Sequence, residues 1–468
     1  MMKKLSLIIL IAVLAMACTS KPQVKYVFYF IGDGMGINQV MATEQYNKAT
    51  GNGPEVINFT QFPVRNFITT VSGSSLVTDS AAGGTTLASG VKTYNSAVGV
   101  DIDGHPVSLL TEWASASGYG TGVITSVGIN HATPACFIAH TSKRQNYEDI
   151  STQLMTAPVD FAAGAGFIMD RKTERTPQDF VDMATDAGIT VLRGPDFTGA
   201  EDMEGRVLCL SGKEQEDLPY MLDRQDDDTQ LSDFVKAGIA YLDRHFGQKG
   251  FFMMIEGGKV DWGCHGNDAV AAFQELTDMS YSVDLALEFL ARHPNETLIV
   301  ITADHETGGL MIGSGKYEAH PELLAWQKGS NVALTEKFRE AFFPEDKPYK
   351  APSWEAVKGF FSDNLGLWTN VEVSEKEEAN LKEVYDQTFG KGGNKNLSSS
   401  SLYSVNSKLV DEAVRCLDRT AGYRFSYGTH SGSPVGLYAT GAGHEAFREV
   451  RDNAEIAPLI AKLAGYAR

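Results

Sequence analysis

The sequence predicts an α/β protein with a large, mostly parallel central sheet. Three observations carry this reading. Continuous apolar runs of strand length at 25–31, 251–255 and 297–302 read as strands buried on both faces. Helix-spaced runs alternate with them, the pattern of βα units. Asp33, Glu256 and the pair Asp304-His305 each follow such a run, and open parallel sheets gather ligands at the carboxyl ends of their strands.

At 468 residues, 43% of them hydrophobic, the chain is long enough for one large core with insertions or for two domains. Forty basic against 59 acidic residues give a formal charge of −19, which argues against a nucleic-acid-binding module and against binding anionic membranes through bulk charge. An anionic substrate must be attracted locally.

Taken in order, the N-terminus reads as an export signal. Lys3 and Lys4 precede an apolar run, 5–17, too short to span a bilayer, and Ala15-Met16-Ala17-Cys18 resembles a bacterial lipoprotein cleavage site. Residues 1–17 are expected to be removed and Cys18 acylated, giving a periplasmic or cell-envelope protein with a lipid anchor; cleavage without acylation is the alternative. No later segment is long and apolar enough for a membrane helix. The remaining cysteines, Cys136, Cys209, Cys264 and Cys416, show no CxxC or zinc-ribbon spacing, and their pairing is open. Cys264, beside His265, is expected to be a small apolar neighbour of a ligand.

The first strand opens into G-D-G-M-G, 32–36. Its spacing is not that of a dinucleotide-binding loop, and an aspartate stands where a pyrophosphate would have to come, so Asp33 reads better as a metal ligand. After a Gly-, Pro- and Asn-bearing segment, 50–54, comes L-V-T-D-S-A-A-G-G-T-T-L-A-S-G, 76–90. Leu76-Val77 is expected to end a strand, placing Ser80 at a strand-to-helix junction with its hydroxyl outward, where the first helix amides favour an anion. An Asp-Ser pair before a helix is by itself most often an N-cap.

A helix near 109–117 and a strand near 121–125 follow, then a helix at 234–246 before the strand that leads to Glu256. Asp261 and His265, four apart in D-W-G-C-H, share one face if that turn is helical, although Gly263 argues against a helix there. Val270, Phe273, Leu276, Met279, Val283, Leu287 and Leu290 mark a long amphipathic helix before the strand 297–302. From 313 to 423 the sequence turns charged and helix-prone, with several prolines and a Gly- and Ser-rich stretch at 392–401. It is expected to be an insertion covering one end of the site, with a flexible loop inside it. His430, in T-H-S-G, follows as a loop histidine.

The set G-D-G-M-G, T-D-S-A-A-G-G-T, H-A-T-P-A with Arg144 eleven residues after Thr133, E-G-G-K-V-D-W-G-C-H, T-A-D-H-E-T-G-G and T-H-S-G resembles the alkaline phosphatase family, in that family's order. The resemblance implies a catalytic domain over 18–468, with helices on both faces of the sheet, usually working as a homodimer. It implies hydrolysis of phosphate monoesters through a phosphoserine, with inorganic phosphate as product inhibitor. Ser80 would be the nucleophile, sharing one Zn2+ with Asp33, Asp304 and His305, while Asp261, His265 and His430 would hold a second Zn2+ beside the leaving oxygen. Arg144, oriented by Asp79, would clamp two phosphate oxygens. Asp33, Thr133 and Glu256 would bind a third ion, usually Mg2+.

Charge counting agrees with a metal-dependent site. Asp33, Asp79, Glu256, Asp261 and Asp304 with Arg144 leave a net −4, which repels a phosphate dianion, whereas three divalent ions bring it to +2. Two positions depart from the best-known bacterial members, where aspartate stands at His131 and lysine at Trp262. His131 offers nitrogen at an oxygen-rich site, so Zn2+ or Co2+ is expected to compete with Mg2+ there; the alternative is a His131 that only hydrogen-bonds to a water of Mg2+. His105, His140, His245, His293, His320 and His444 match no family ligand and are expected to be structural or surface residues. Two rival readings are a phosphodiesterase of the same superfamily and a non-catalytic phosphate- or metal-binding lipoprotein. A diester offers Arg144 one fewer charged oxygen, and every matched position of the site is filled, which disfavours both.

Overall fold

The three apolar runs become neighbouring strands. In the computed structural model, which describes residues 24–170, 173–213, 215–313, 317–344, 350–394, 396–400 and 402–468, Tyr26–Gly32 lies between Phe251–Gly257 and Thr297–Thr302 and parallel to both. The expected leader and Cys18 fall outside the described residues. All residues of these strands are buried, because both faces are covered. Tyr26 and Phe28 pack on Phe289 of the helix Ala269–Arg292, while Tyr29, turned the other way by the strand's period of two, packs on Phe137.

Among the described residues the main sheet has nine strands, in the order Val64–Ile68, Val435–Gly441, Thr297–Thr302, Tyr26–Gly32, Phe251–Gly257, Gly120–Thr125, Phe161–Gly164, Val207–Ser211 and Thr190–Gly194. Val435–Gly441 runs against its two neighbours, and the other pairs are parallel. The helices Leu231–Phe246 and Ala269–Arg292 cover one face; Ser80–Ser89, Leu110–Ala116 and Ile456–Ala464 group on the other. Register brings the carboxyl ends level: Ile31 lies opposite both Glu256 and Thr302, and Thr125 opposite Glu256. Asp33, Glu256 and Asp304, far apart in sequence, thus end at one edge of the sheet.

One local expectation fails, and one open point is decided. Leu76-Val77 does not end a strand; Leu76 is exposed, and the preceding serines fold into a turn in which Ser72 Oγ accepts from the Ser75 amide at 3.0 Å. Such side-chain to backbone bonds compete with a strand ladder. Gly263 does not break the helix, which runs Lys259–Gly266. A Cβ at Gly263 would lie 2.7 Å from the Ala272 backbone nitrogen, so glycine there lets this helix press against Ala269–Arg292. Close packing outweighs glycine's low helix propensity.

Residues 313–423 hold the helices Asn331–Phe342, Trp354–Leu365, Glu375–Phe389 and Lys408–Thr420, and the first three begin at serine caps, Ser330, Ser353 and Ser374. Phe338 gathers Phe342, Phe360, Phe361 and Phe389 around it. Within the Gly- and Ser-rich stretch, Ser398–Ser400 pairs with Val405–Ser407 as a two-stranded ladder. Cys136, Cys209, Cys264 and Cys416 are separate buried thiols. Among the described residues no helix is long and apolar enough to cross a membrane.

Gly263→Ala tests the close approach. The clash with backbone atoms is expected to cost about 1–3 kcal/mol, against about 1 kcal/mol gained in helix propensity, so the denaturant midpoint should fall. A raised midpoint would show that the two helices separate freely.

Candidate active site

Ser80 opens the helix Ser80–Ser89, and Asp79 caps it, its Oδ1 accepting from the Ala82 amide at 3.1 Å and the Ser96 amide at 2.9 Å. The second oxygen, Oδ2, accepts from Arg144 Nη1 at 3.3 Å, so Asp79 is a cap and an ion-pair partner at once. Contrary to the expected outward hydroxyl, Ser80 is fully buried. Its Oγ lies 3.3 Å from His305 Nε2 and 3.4 Å from Arg144 Nη1. The small residues after it explain the burial: a Cβ at Gly83 would sit 3.0 Å from the Asp304 carbonyl, and one at Gly84 would sit 3.1 Å from Cys136 Sγ.

The structure gathers Asp33-Asp304-His305, Asp261-His265-His430 and, with His131 that was expected only as a neighbour of the third site, Asp33-His131-Glu256, each with ligand atoms within 4.8 Å of one another. His305 Nε2 is 3.5 Å from Asp33 Oδ1 and 3.4 Å from Asp304 Oδ2. His265 Nε2 lies 3.3 Å from Asp261 Oδ2, and His430 Nε2 lies 3.7 Å from Asp261 Oδ1. Neighbouring groups fix the tautomers. His265 Nδ1 faces the Gly428 carbonyl at 2.7 Å and His430 Nδ1 the Thr78 carbonyl at 3.0 Å. A carbonyl only accepts, so both rings carry hydrogen on Nδ1 and turn the Nε2 lone pair inward. His305 Nδ1 donates to Thr307 Oγ1 at 3.2 Å, because that hydroxyl gives its own proton to Asp261.

Lone pairs therefore face lone pairs: the Nε2 atoms of His265 and His430 are 3.0 Å apart. Both oxygens of Asp33 and one each of Glu256, Asp261 and Asp304 are buried without a hydrogen bond. Thr133 Oγ1 sits beside Glu256, also without a hydrogen bond of good geometry, while the Thr125 hydroxyl donates to the other Glu256 oxygen. Buried polar atoms left this way call for a partner, and the mixed nitrogen and oxygen sets fit divalent ions held by ligands with supporting outer partners.

Electrostatics lead to the same conclusion. Burial, with Asp304 next, pushes the Asp33 carboxyl well above its ordinary range. Burial raises Asp304 to about 8, Asp261 adding to it, and Glu256 to about 7. Asp261 is lowered even though burial opposes it, because His265, His430 and His305 surround it. Burial and then Arg144 hold His131 down to about 3, so it is neutral. Such a cluster cannot ionise fully without added positive charge.

Arg144 is buried, and both of its arms are engaged. Nη1 meets Asp79 and Ser80, while Nη2 donates to His131 Nε2 at 3.1 Å and to the Tyr403 hydroxyl at 3.2 Å. Tyr403 is a site residue that sequence reasoning missed, and its one signal is an aromatic ring within a run of serines. Its ring stacks on Trp262, with centroids 4.3 Å apart and planes 14° from parallel. Thr125 and Thr307 were missed as well, since a threonine at a strand end carries no mark of its partner. Of the histidines set aside, His140 contacts the Gly99 carbonyl and Glu112, His245 the Glu201 carbonyl and His444 the Gly441 carbonyl. His293 stacks on Phe289 and His320 lies by Glu322. His105 belongs to an exposed turn in which Asp101 accepts from the amides of Asp103 and His105.

The profile of the alkaline phosphatase family matches residues 24–167 and 200–466. Alkaline phosphatase 4 of Bacillus subtilis is 30% identical over 95% of this chain and 89% of its own length; alkaline phosphatase 3 of the same organism is 30% identical over 96% and 90%. The crystal structure of the cold-active alkaline phosphatase of a psychrophilic Shewanella superposes with a TM-score of 0.74 at 26% identity, covering 94% of this chain and 99% of that one. Matched along nearly its whole described length and folded around the same mostly parallel sheet, this chain belongs to the alkaline phosphatase family and is a phosphatase.

Proposed function

We propose that the chain hydrolyses phosphate monoesters to an alcohol and inorganic phosphate by way of a phosphoserine at Ser80. The observation that carries this reading is the placement of Ser80 Oγ at a helix N-terminus, between His305 Nε2 and Arg144 Nη1. Ser80 reacts as its alkoxide, whose charge the helix amides and Arg144 help to hold. Oγ attacks phosphorus, the Oγ–P bond forms, and the ester bond breaks with its electron pair leaving on the alcohol oxygen. The proton that Ser80 gives up to solvent is matched by one that the departing alcohol oxygen takes up. Water then attacks the phosphoserine, the new O–P bond forms as the Oγ–P bond breaks, and the proton the water loses restores the Ser80 hydroxyl as inorganic phosphate is released. Arg144 holds two non-bridging oxygens with its planar fork, and Asp79 keeps that fork in place. Because the product meets the same fork, inorganic phosphate inhibits.

Asp33, Asp304 and His305 would hold one Zn2+ with Ser80, Asp261, His265 and His430 a second, and Asp33, Thr133 and Glu256 a third ion, Mg2+, with His131 beside it. When bound, these ions supply the positive charge that lowers the serine's pKa and offsets that of the phosphoryl group and leaving oxygen. The leader and the family support an exported chain, anchored through Cys18 and working as a homodimer. Tyr403, reaching Arg144 from within 313–423, supports reading that segment as an insertion covering one end of the site.

Ser80→Ala should abolish the labelled phosphate trapped by acid quench and most of the turnover, with metal content largely kept; label recovered on another residue would refute the phosphoserine. Arg144→Ala should weaken inorganic phosphate binding by about 1.5–3 kcal/mol, read as an inhibition constant, and an unchanged constant would mean that the fork does not reach phosphate. His131→Asp, in metal-stripped protein given two equivalents of Zn2+, should strengthen activation by Mg2+. An identical Mg2+ response before and after that change would make His131 neutral toward the third ion.

A further inference from the structure

We propose that Tyr403 is a positioning residue for the phosphate clamp and that Trp262 is the platform that holds it there. This rests on the reading of Arg144 as the group that binds phosphate. A planar fork binds two oxygens well only if its plane is fixed, and one anchor leaves it free to swing. Asp79 anchors the Nη1 arm at 3.3 Å, and the Tyr403 hydroxyl accepts from the Nη2 arm at 3.2 Å. The remaining contacts, Ser80 Oγ on Nη1 and His131 Nε2 on Nη2, come from residues of the catalytic pocket itself.

The hydroxyl can serve as an anchor because its ring is held on three sides. Trp262 stacks flat against it, and His131 and His265 meet it edge-on, with centroids 5.6 Å and 5.5 Å away. The paired strands Ser398–Ser400 and Val405–Ser407 that flank Tyr403 are tied down in turn. Asp411, buried on the helix Lys408–Thr420, accepts from the Ser399 hydroxyl, from Asn406 Nδ2 at 3.2 Å and from Asn331 Nδ2 at 3.1 Å. Asp411 thus holds both strands that flank Tyr403, and the Tyr403 hydroxyl meets the guanidinium. Trp262 brings no charge to the site, and its contribution is a flat apolar surface at the height the phenol needs.

The test uses the full-length, metal-loaded enzyme and inorganic phosphate as the probe. Tyr403→Phe keeps the ring and removes the anchor; it should raise KM and the phosphate inhibition constant about threefold to tenfold, with a larger effect on KM than on kcat. Trp262→Ala should weaken phosphate binding to a similar extent, and the double variant should be little worse than either single one. In an Arg144→Ala background, Tyr403→Phe should add nothing, because the two act as one unit. Unchanged or tighter phosphate binding in Tyr403→Phe overturns the proposal, tighter binding meaning that the hydroxyl competes with phosphate for Nη2. Full weakening that persists without Arg144 also overturns it. If Arg144→Ala alone leaves phosphate affinity unchanged, the clamp reading falls first and this proposal falls with it.

Discussion

Mutual repulsion among buried carboxylates is the constraint on which the rest of this structure depends. Asp33, Glu256, Asp261 and Asp304 are fully buried within one pocket, and several of their oxygens have no hydrogen bond. Folding alone does not make such a cluster favourable; burial penalises each ionised group, and each penalises its neighbours. The parallel sheet sets three of these residues level at one edge, and the outer partners of the histidines aim lone pairs at the same space. The cost is carried at the candidate functional site, where bound cations would offset it, while the apolar strands behind supply the stability.

Much of this was legible in the sequence because it follows from period and position. Apolar runs marked the strands, so residues just beyond them had to meet at the sheet's edge, as Asp33, Glu256 and Asp304 do. The i, i+4 spacing of Asp261 and His265 was also legible, but Gly263 misled, since propensity says nothing about a neighbouring helix that needs the missing Cβ. Leu76-Val77 misled in the opposite direction: two apolar residues have the pattern of a strand end, yet the serines before them close a local turn that needs no partner strand. Tyr403 was out of reach. Its partner Arg144 is 259 positions away, and nothing in a serine-rich stretch records which ring will stack beneath it.

The two arms of Arg144 also show how one guanidinium can be shared between distant parts of a chain. Asp79 binds one arm from the N-cap of the helix that presents Ser80, so Ser80 and Arg144 are held to the same helix end. His131 and Tyr403 meet the other arm, one from the loop before the short helix Ala132–Ala135 and one from the region 313–423. Arg144 therefore reports on the packing of two distant regions, and its burial keeps that coupling from being screened by water.

The short ladder between Glu306–Thr307 and His430–Ser431 has a further consequence. The chain leaves this ladder just after Thr307 and comes back to it at His430, so the span between, with its four helices, has its two ends already pinned together. Closing a longer loop adds only about 0.6 kcal/mol per doubling of its length. A change of length within that span, away from Gly428 whose carbonyl meets His265 Nδ1, can thus leave Asp304, His305 and His430 where they are. Tyr403, with its contact to Arg144, lies inside the same span. On the proposed reading of Arg144, the same junction would let that span tune phosphate affinity while Asp304, His305 and His430 stay in place.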